Sequence, residues 1–249
     1  MGGIWDYGYT QIATADPTRA DAIPAMTIRT TQELVDALAD QLVWRRKELT
    51  ELRSLADISR ANASRQATLI RAGTALLYAH WEGFVKTSAT YFLEYVSAQR
   101  RTHAELSTNF LCVILRKQLS TARLTKKVSA TGDIIDFLLE RMDSRANLPT
   151  KNVINTESNL SSLVFREILW TLGLDEAPYA TKKTLLDEKL LARRNHIAHG
   201  QSLDVSVDDY LEMHDEILAL MDAFKTQIEN ACILKQYLRS SASGRPPLA

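Results

Sequence analysis

Five side chains near the C-terminal end of one segment carry most of the reactive chemistry in this chain: Arg193, Arg194, Asn195, His196 and His199, followed at once by Gly200. Arginine is always charged and presents a planar fork that matches phosphate oxygens. Histidine is the side chain that can take or give a proton near neutral pH. Together these groups suit attack of an RNA 2′-hydroxyl on the adjacent phosphorus. A base removes the hydroxyl proton, a cation faces the charge gathering on the phosphoryl oxygens, and an acid protonates the departing 5′-oxygen. The nucleophile belongs to the substrate, so this chemistry needs no metal and no cofactor.

On a helix, steps of about 100° place Asn195 and His199 roughly 40° apart, on one face. Arg194 then lies about 140° from His199. One copy of the helix brings these two poorly to a single phosphate, whereas two copies related by a two-fold axis can pair the arginine of one with the histidine of the other. A helix C-terminus also favours positive charge at His199, which suits an acid or a charge stabiliser.

Other residues compete for attention. His196 and His199 are three apart, but no third metal ligand follows at sensible spacing and there is no HExxH, so no metal site is expected. Glu82 and His80 sit among Tyr78, Trp81 and Phe84. An aromatic helix face of this kind is usually core, with His80 bonded to a neighbour; the alternative is that Glu82 reaches the site and orients a motif residue. Arg116, Lys117, Arg123, Lys126 and Lys127 form a run with no acid inside it. Such a run is commonly a solvated helix end; it could also be a groove for an RNA backbone. Asn155, Ser158 and Asn159 are expected to shape a turn and cap the next helix.

The elements that must hold these groups are helices. Of 249 residues only 9 are Gly and 6 are Pro, and Pro17, Pro24, Pro246 and Pro247 lie near the ends. Thr30 and Glu33 make a capping box, after which Leu34, Leu38, Leu42, Leu49, Leu52 and Leu55 recur at helical spacing. The longest helix carries Leu69 through Tyr95. A third is expected over Leu106–Leu115 and a short one around Ile134–Leu139. A polar loop over 144–158 precedes a helix from about Leu160 to Leu172 with Gly173 as its C-cap. The motif helix is expected from about Lys182 to His199, and a final helix starts at Ser206. Residues 1–28 are expected to form an extended arm, 29–239 one helical domain, and 240–249 a disordered tail.

Lys+Arg and Asp+Glu number 30 each, so no global field collects nucleic acid, and any RNA contact must come from a local patch or from assembly. Cys112 and Cys232 lack CxxC spacing and fall in apolar-periodic segments, which predicts buried core thiols and a reducing compartment. The first residues lack the basic and apolar regions of a signal peptide, and no apolar run is long enough to span a bilayer, which predicts a cytoplasmic protein without a membrane partner.

Arg194-Asn195-His196-Ile197-Ala198-His199 resembles the R-x4-6-H motif of HEPN ribonucleases, with a polar residue directly after the arginine. Leu77-Tyr78-Ala79-His80-Trp81-Glu82-Gly83-Phe84-Val85-Lys86 resembles a signature of one prokaryotic HEPN-like nuclease branch. So does Val153-Ile154-Asn155-Thr156-Glu157-Ser158-Asn159-Leu160-Ser161. The three fall in order on an all-helical chain, covering about Leu34 to Ile228. The resemblance implies a HEPN-type helical bundle, a homodimer with a composite site, and metal-independent RNA cleavage leaving 2′,3′-cyclic phosphate. It also implies a setting in phage (antiviral) defence or toxin–antitoxin loci, with a possible antitoxin or defence partner protein. By resemblance Arg194 and His199 are catalytic and Asn195 is the motif polar residue; Arg193 fits the looser spacing as second choice, and His196 lies outside the fixed positions. Some HEPN domains only bind, so the alternative is a non-catalytic module that recognises a nucleotide, RNA or a partner and regulates a neighbouring nuclease.

Overall fold

The computed structural model describes residues 28–125, 127–157, 159–202 and 204–239. The expected N-terminal arm up to residue 27, the expected tail, Lys126 and Ser158 lie outside the described residues. The fold is all-α. Helices α1 (Thr31–Ile58), α2 (Ala63–Ala98), α3 (Thr108–Thr125), α4 (Val128–Glu140) and α5 (Ser162–Leu172) are followed by a 3₁₀ turn (Ala177–Lys182) and a π-helix (Leu185–Ala192). The short α6 (Arg193–Ala198) and the long α7 (Val207–Ile233) complete the order.

Local chemistry sets the helix ends. Thr30 accepts from the Glu33 backbone N–H while the Glu33 carboxylate accepts from the Thr30 N–H, which completes the capping box at the start of α1. Ser206 caps α7 by accepting from the Asp209 N–H. Gly173 takes φ +73° after α5, a left-handed value that glycine adopts without a Cβ penalty.

Three long helices make the frame. One short turn, Ser59–Ala61, joins α1 to α2, so the two run antiparallel. Arg46 and Arg53 on α1, with Arg60 in the turn that follows it, pair with Asp222, Asp215 and Asp208 on α7. Both sets repeat every seven residues in opposite directions, so α7 is antiparallel to α1 and lies along a heptad seam. Each exposed pair contributes little, but the set admits one register. Gly73 of α2 lets α7 approach closely: a Cβ there would lie 2.3 Å from the Tyr210 hydroxyl oxygen and 2.6 Å from its Cζ. Phe165 of α5 ties the layers together. Its ring meets Trp81 at 5.1 Å, Phe224 at 5.5 Å and Tyr179 at 5.0 Å, all edge-on. The α3–α4 hairpin stands to one side, with α3 against α5 and α4 packed mainly on α3.

Several expectations are corrected. Leu106 precedes α3 and forms an isolated bridge with Leu238, because Leu106 is buried against the returning chain. The short helix around Ile134 begins earlier, at Val128. Leu160 stays outside α5, since its N–H is spent on the Tyr78 hydroxyl and Ser161 caps the helix instead. Cys232 is buried, but Cys112 is only partly so, because α3 is covered on one side. The motif segment is not one α-helix from Lys182: it passes from 3₁₀ to π to α.

Candidate active site

The π-helix delivers the motif. Leu185, Leu186 and Leu190 bury its inner face, and Lys182 and Lys189 hold the approach to α7 through Glu216 at 2.8 Å and Glu212 at 3.7 Å. Asp187 within it accepts from both the N–H and the hydroxyl of Ser162, each at 2.6 Å, and so pins the start of α5. π-helical stretches are rare and concentrate at functional sites. The chain becomes α-helical again at Arg193, so the angles within the motif are those of an ordinary helix.

α6 runs antiparallel to α2. At one end Arg71 donates to the Gln201 carbonyl at 2.7 Å; at the other Arg194 lies over Tyr78, its Cζ 4.0 Å from the ring centroid. Arg71, Tyr78 and Glu82 therefore share one stripe of α2, at spacings of seven and four. The end of α6 closes with the Gly200 N–H on the Ile197 carbonyl at 3.0 Å and the Gln201 N–H on the His196 carbonyl at 2.9 Å. Gly200 has φ +71°, so the chain turns away immediately after His199.

Arg194 is the point where the three motif segments meet. Besides stacking on Tyr78, its Nη2 donates to Asn159 Oδ1 at 2.9 Å. The Tyr78 hydroxyl accepts the Leu160 N–H at 2.7 Å. Burial is the main influence on that phenol and holds its pKa above the ordinary value; its bonds to Leu160 and Arg194 pull the other way. The loop itself is shaped by an Asx turn, with the Glu157 N–H on Asn155 Oδ1 at 2.9 Å and Glu157 at φ +52°.

The other motif groups are arranged differently. His196 and His199 are exposed, while Arg193 and Asn195 are half-buried. His199 is the C-cap residue of α6, five positions or about 7.5 Å along the axis from Arg194 and on a different side of the helix. One chain does not converge the pair. Glu82 is half-buried one turn along α2 from Tyr78, near enough to act on that phenol electrostatically. His80 is buried against Glu48 of α1, with Nε2 to Oε2 at 2.9 Å, and edge-on to Trp44 at 5.0 Å. It belongs to the α1–α2 packing. Arg116, Lys117, Arg123 and Lys127 are all exposed on the α3–α4 hairpin, away from Arg194.

Sequence reasoning missed the roles of Tyr78 and Asn159. Both stood inside the two accompanying signatures, and that shared membership was the only available signal. Among the described residues no group of three or more His, Cys, Asp or Glu side chains is placed to hold a metal ion. Nor is any helix among them long and apolar enough to cross a membrane.

A bundle with these three segments gathered on one arginine is the class of helical domain that the motif implies. A family model described as HEPN_MAE_28990-like HEPN matches residues 34–237, and the chain belongs to that HEPN family. HEPN domains include nucleases and nucleotide-binding modules; many bind RNA and many dimerise. Comparison with curated proteins and with solved structures gives no match in either set.

Proposed function

We propose that this protein is a metal-independent endoribonuclease whose active site is built from two copies of the chain. The observation that carries the reading is the clamp on Arg194 by Tyr78 and Asn159, with His199 left exposed at the end of the same helix. A guanidinium fixed in direction before substrate arrives is what charge stabilisation in the transition state requires. In the reaction a base takes the 2′-hydroxyl proton and O2′ attacks phosphorus. The bond to the 5′-oxygen breaks, and His199 of the second copy protonates that oxygen. The products are a 2′,3′-cyclic phosphate and a 5′-hydroxyl. Asn195 shares the face of His199, which supports a contact from its amide to the substrate. The separation of Arg194 and His199 within one chain supports a homodimer. Membership of a HEPN family supports a setting in phage defence or a toxin–antitoxin pair, where a partner protein would hold the enzyme in check.

The test is cleavage of a mixed RNA pool in excess EDTA by the native chain and by His199→Ala. Cyclic-phosphate ends from the native chain alone support the reading; cleavage that stops in EDTA removes it.

One observation favours a second reading. The Arg194 guanidinium is already engaged within its own chain, as a structural clamp would be. In that case the domain binds a nucleotide, RNA or a protein partner without cutting, and RNA stays intact in both lanes while binding persists.

A further inference from the structure

The loop that ends at Asn159 has a second face. Between α3, the start of α4 and residues 147–155 lies an open groove of about 970 Å³. Arg116 and Lys117 reach it from α3 and Lys151 from the loop, against one acid, Asp133 of α4. Asn152 and Asn155 add amide donors. Among the described residues none of the three cations has an ion-pair partner, whereas Arg46, Arg53, Arg60, Arg101, Arg166, Lys182, Lys189 and Lys225 all do. In a protein of zero formal net charge, unpaired cations concentrated along one concave surface mark a place for a polyanion.

We infer that this groove binds the sugar–phosphate backbone of a single strand of the RNA whose cleavage is proposed above, and feeds it along the loop that ends at Asn159 toward Arg194. The inference rests on that reading for the identity of the strand. The groove volume lies at the upper end of the roughly 300–1,000 Å³ typical of ligand sites, which leaves room for more than one nucleotide. Among the described residues its lining contains no aromatic ring, so the contacts go to phosphate and ribose rather than to stacked bases. Recognition there is sequence-tolerant, with Arg116, Lys117 and Lys151 as phosphate ligands and Asn152 and Asn155 as donors to the ribose and phosphate oxygens. Asn155 couples the two faces of the loop, since its Oδ1 holds the turn that leads to Asn159.

The experiment uses the full chain and a fluorescent 2′-O-methyl RNA oligonucleotide, which cannot be cut, titrated at several salt concentrations. The variants are Arg116→Gln/Lys117→Gln/Lys151→Gln and the control Lys47→Gln/Lys86→Gln/Lys235→Gln. Each lost phosphate contact lowers the slope of log affinity against log salt by about 0.7 on a single strand, so the groove triple loses about 2 from the slope and binds roughly 10- to 100-fold more weakly. The control binds as the native chain does. Native affinity and slope in the groove triple, or no binding by the native chain, overturns the inference. If the triple binds normally while the native chain still cuts RNA, the groove falls and the ribonuclease stands. If the native chain binds through the groove and cuts nothing, the reverse holds.

Discussion

Replacing Arg194 by lysine keeps the charge and removes the fork. In the native chain the guanidinium lies 4.0 Å over the Tyr78 ring while its Nη2 bonds Asn159 at 2.9 Å. A charge-assisted hydrogen bond contributes about 1.5–3 kcal/mol, and a half-buried cation–π contact about 0.5–2 kcal/mol. Lysine has one compact donor head and can serve one of these contacts at a time, so Arg194→Lys costs about 1–2 kcal/mol and Arg194→Ala about 2–3 kcal/mol. For a domain of this size each kcal/mol lowers Tm by about 2–4 °C, and the alanine variant melts roughly 4–12 °C early. Thermal unfolding followed by circular dichroism reads this directly. The double variant Arg194→Ala/Asn159→Ala is expected to melt close to Arg194→Ala alone, because the two residues share one bond. Cleavage is then measured well below both melting points, where Arg194→Lys is expected to be at least about tenfold slow. Native Tm in Arg194→Ala, or strictly additive losses in the double variant, would refute the clamp.

The remaining expectations concern separate parts of the molecule. His199 is exposed and, among the described residues, bonds through its backbone alone, so His199→Ala should leave the urea midpoint within about 0.5 kcal/mol of native while cleavage falls by about 10²–10⁴-fold; a stability loss of several kcal/mol would mean a structural role. Gly73→Ala gains about 1 kcal/mol of helix propensity but drives a methyl into the Tyr210 ring, which costs about 1–3 kcal/mol; a lowered Tm is expected, and a raised one would show that α7 yields. His80 and His214 are buried, and burial holds both below the ordinary value of 6.5 against the opposing pull of Glu48 and Asp215. The unfolded chain therefore binds protons that the folded one refuses, so stability is complete above about pH 6.5 and declines as pH falls below it. Urea midpoints at pH 7.5 and 5.5 measure this, and no decline would contradict buried neutral imidazoles.

The helix starts at Thr30 and Ser206 and the stop at Gly173 were legible in the sequence because each depends on residues within one turn. The motif was legible because R-x4-H is local too. The π-helix was not, since its leucines at 185, 186 and 190 carry no period distinct from an α-helix, and the segment meets α2 and α7 only in the folded bundle. The direction of Arg194 was not legible either: it is fixed by Tyr78 and Asn159, which lie far away in sequence and meet it only in the folded bundle. The basic run was visible as composition, yet the fold divides it. Arg116 and Lys117 face the groove and gain Lys151 from a distant loop, while Arg123 and Lys127 stay on the outer part of the hairpin.

The central claim is a metal-free ribonuclease site that one chain completes for another. Mixing Arg194→Ala with His199→Ala chains, each inactive alone, tests it in excess EDTA. A heterodimer then holds one composite site with both groups native, and random pairing predicts about a quarter of native cleavage with cyclic-phosphate ends. No recovery from the mixture, under conditions where the native chain cuts, would contradict the composite site.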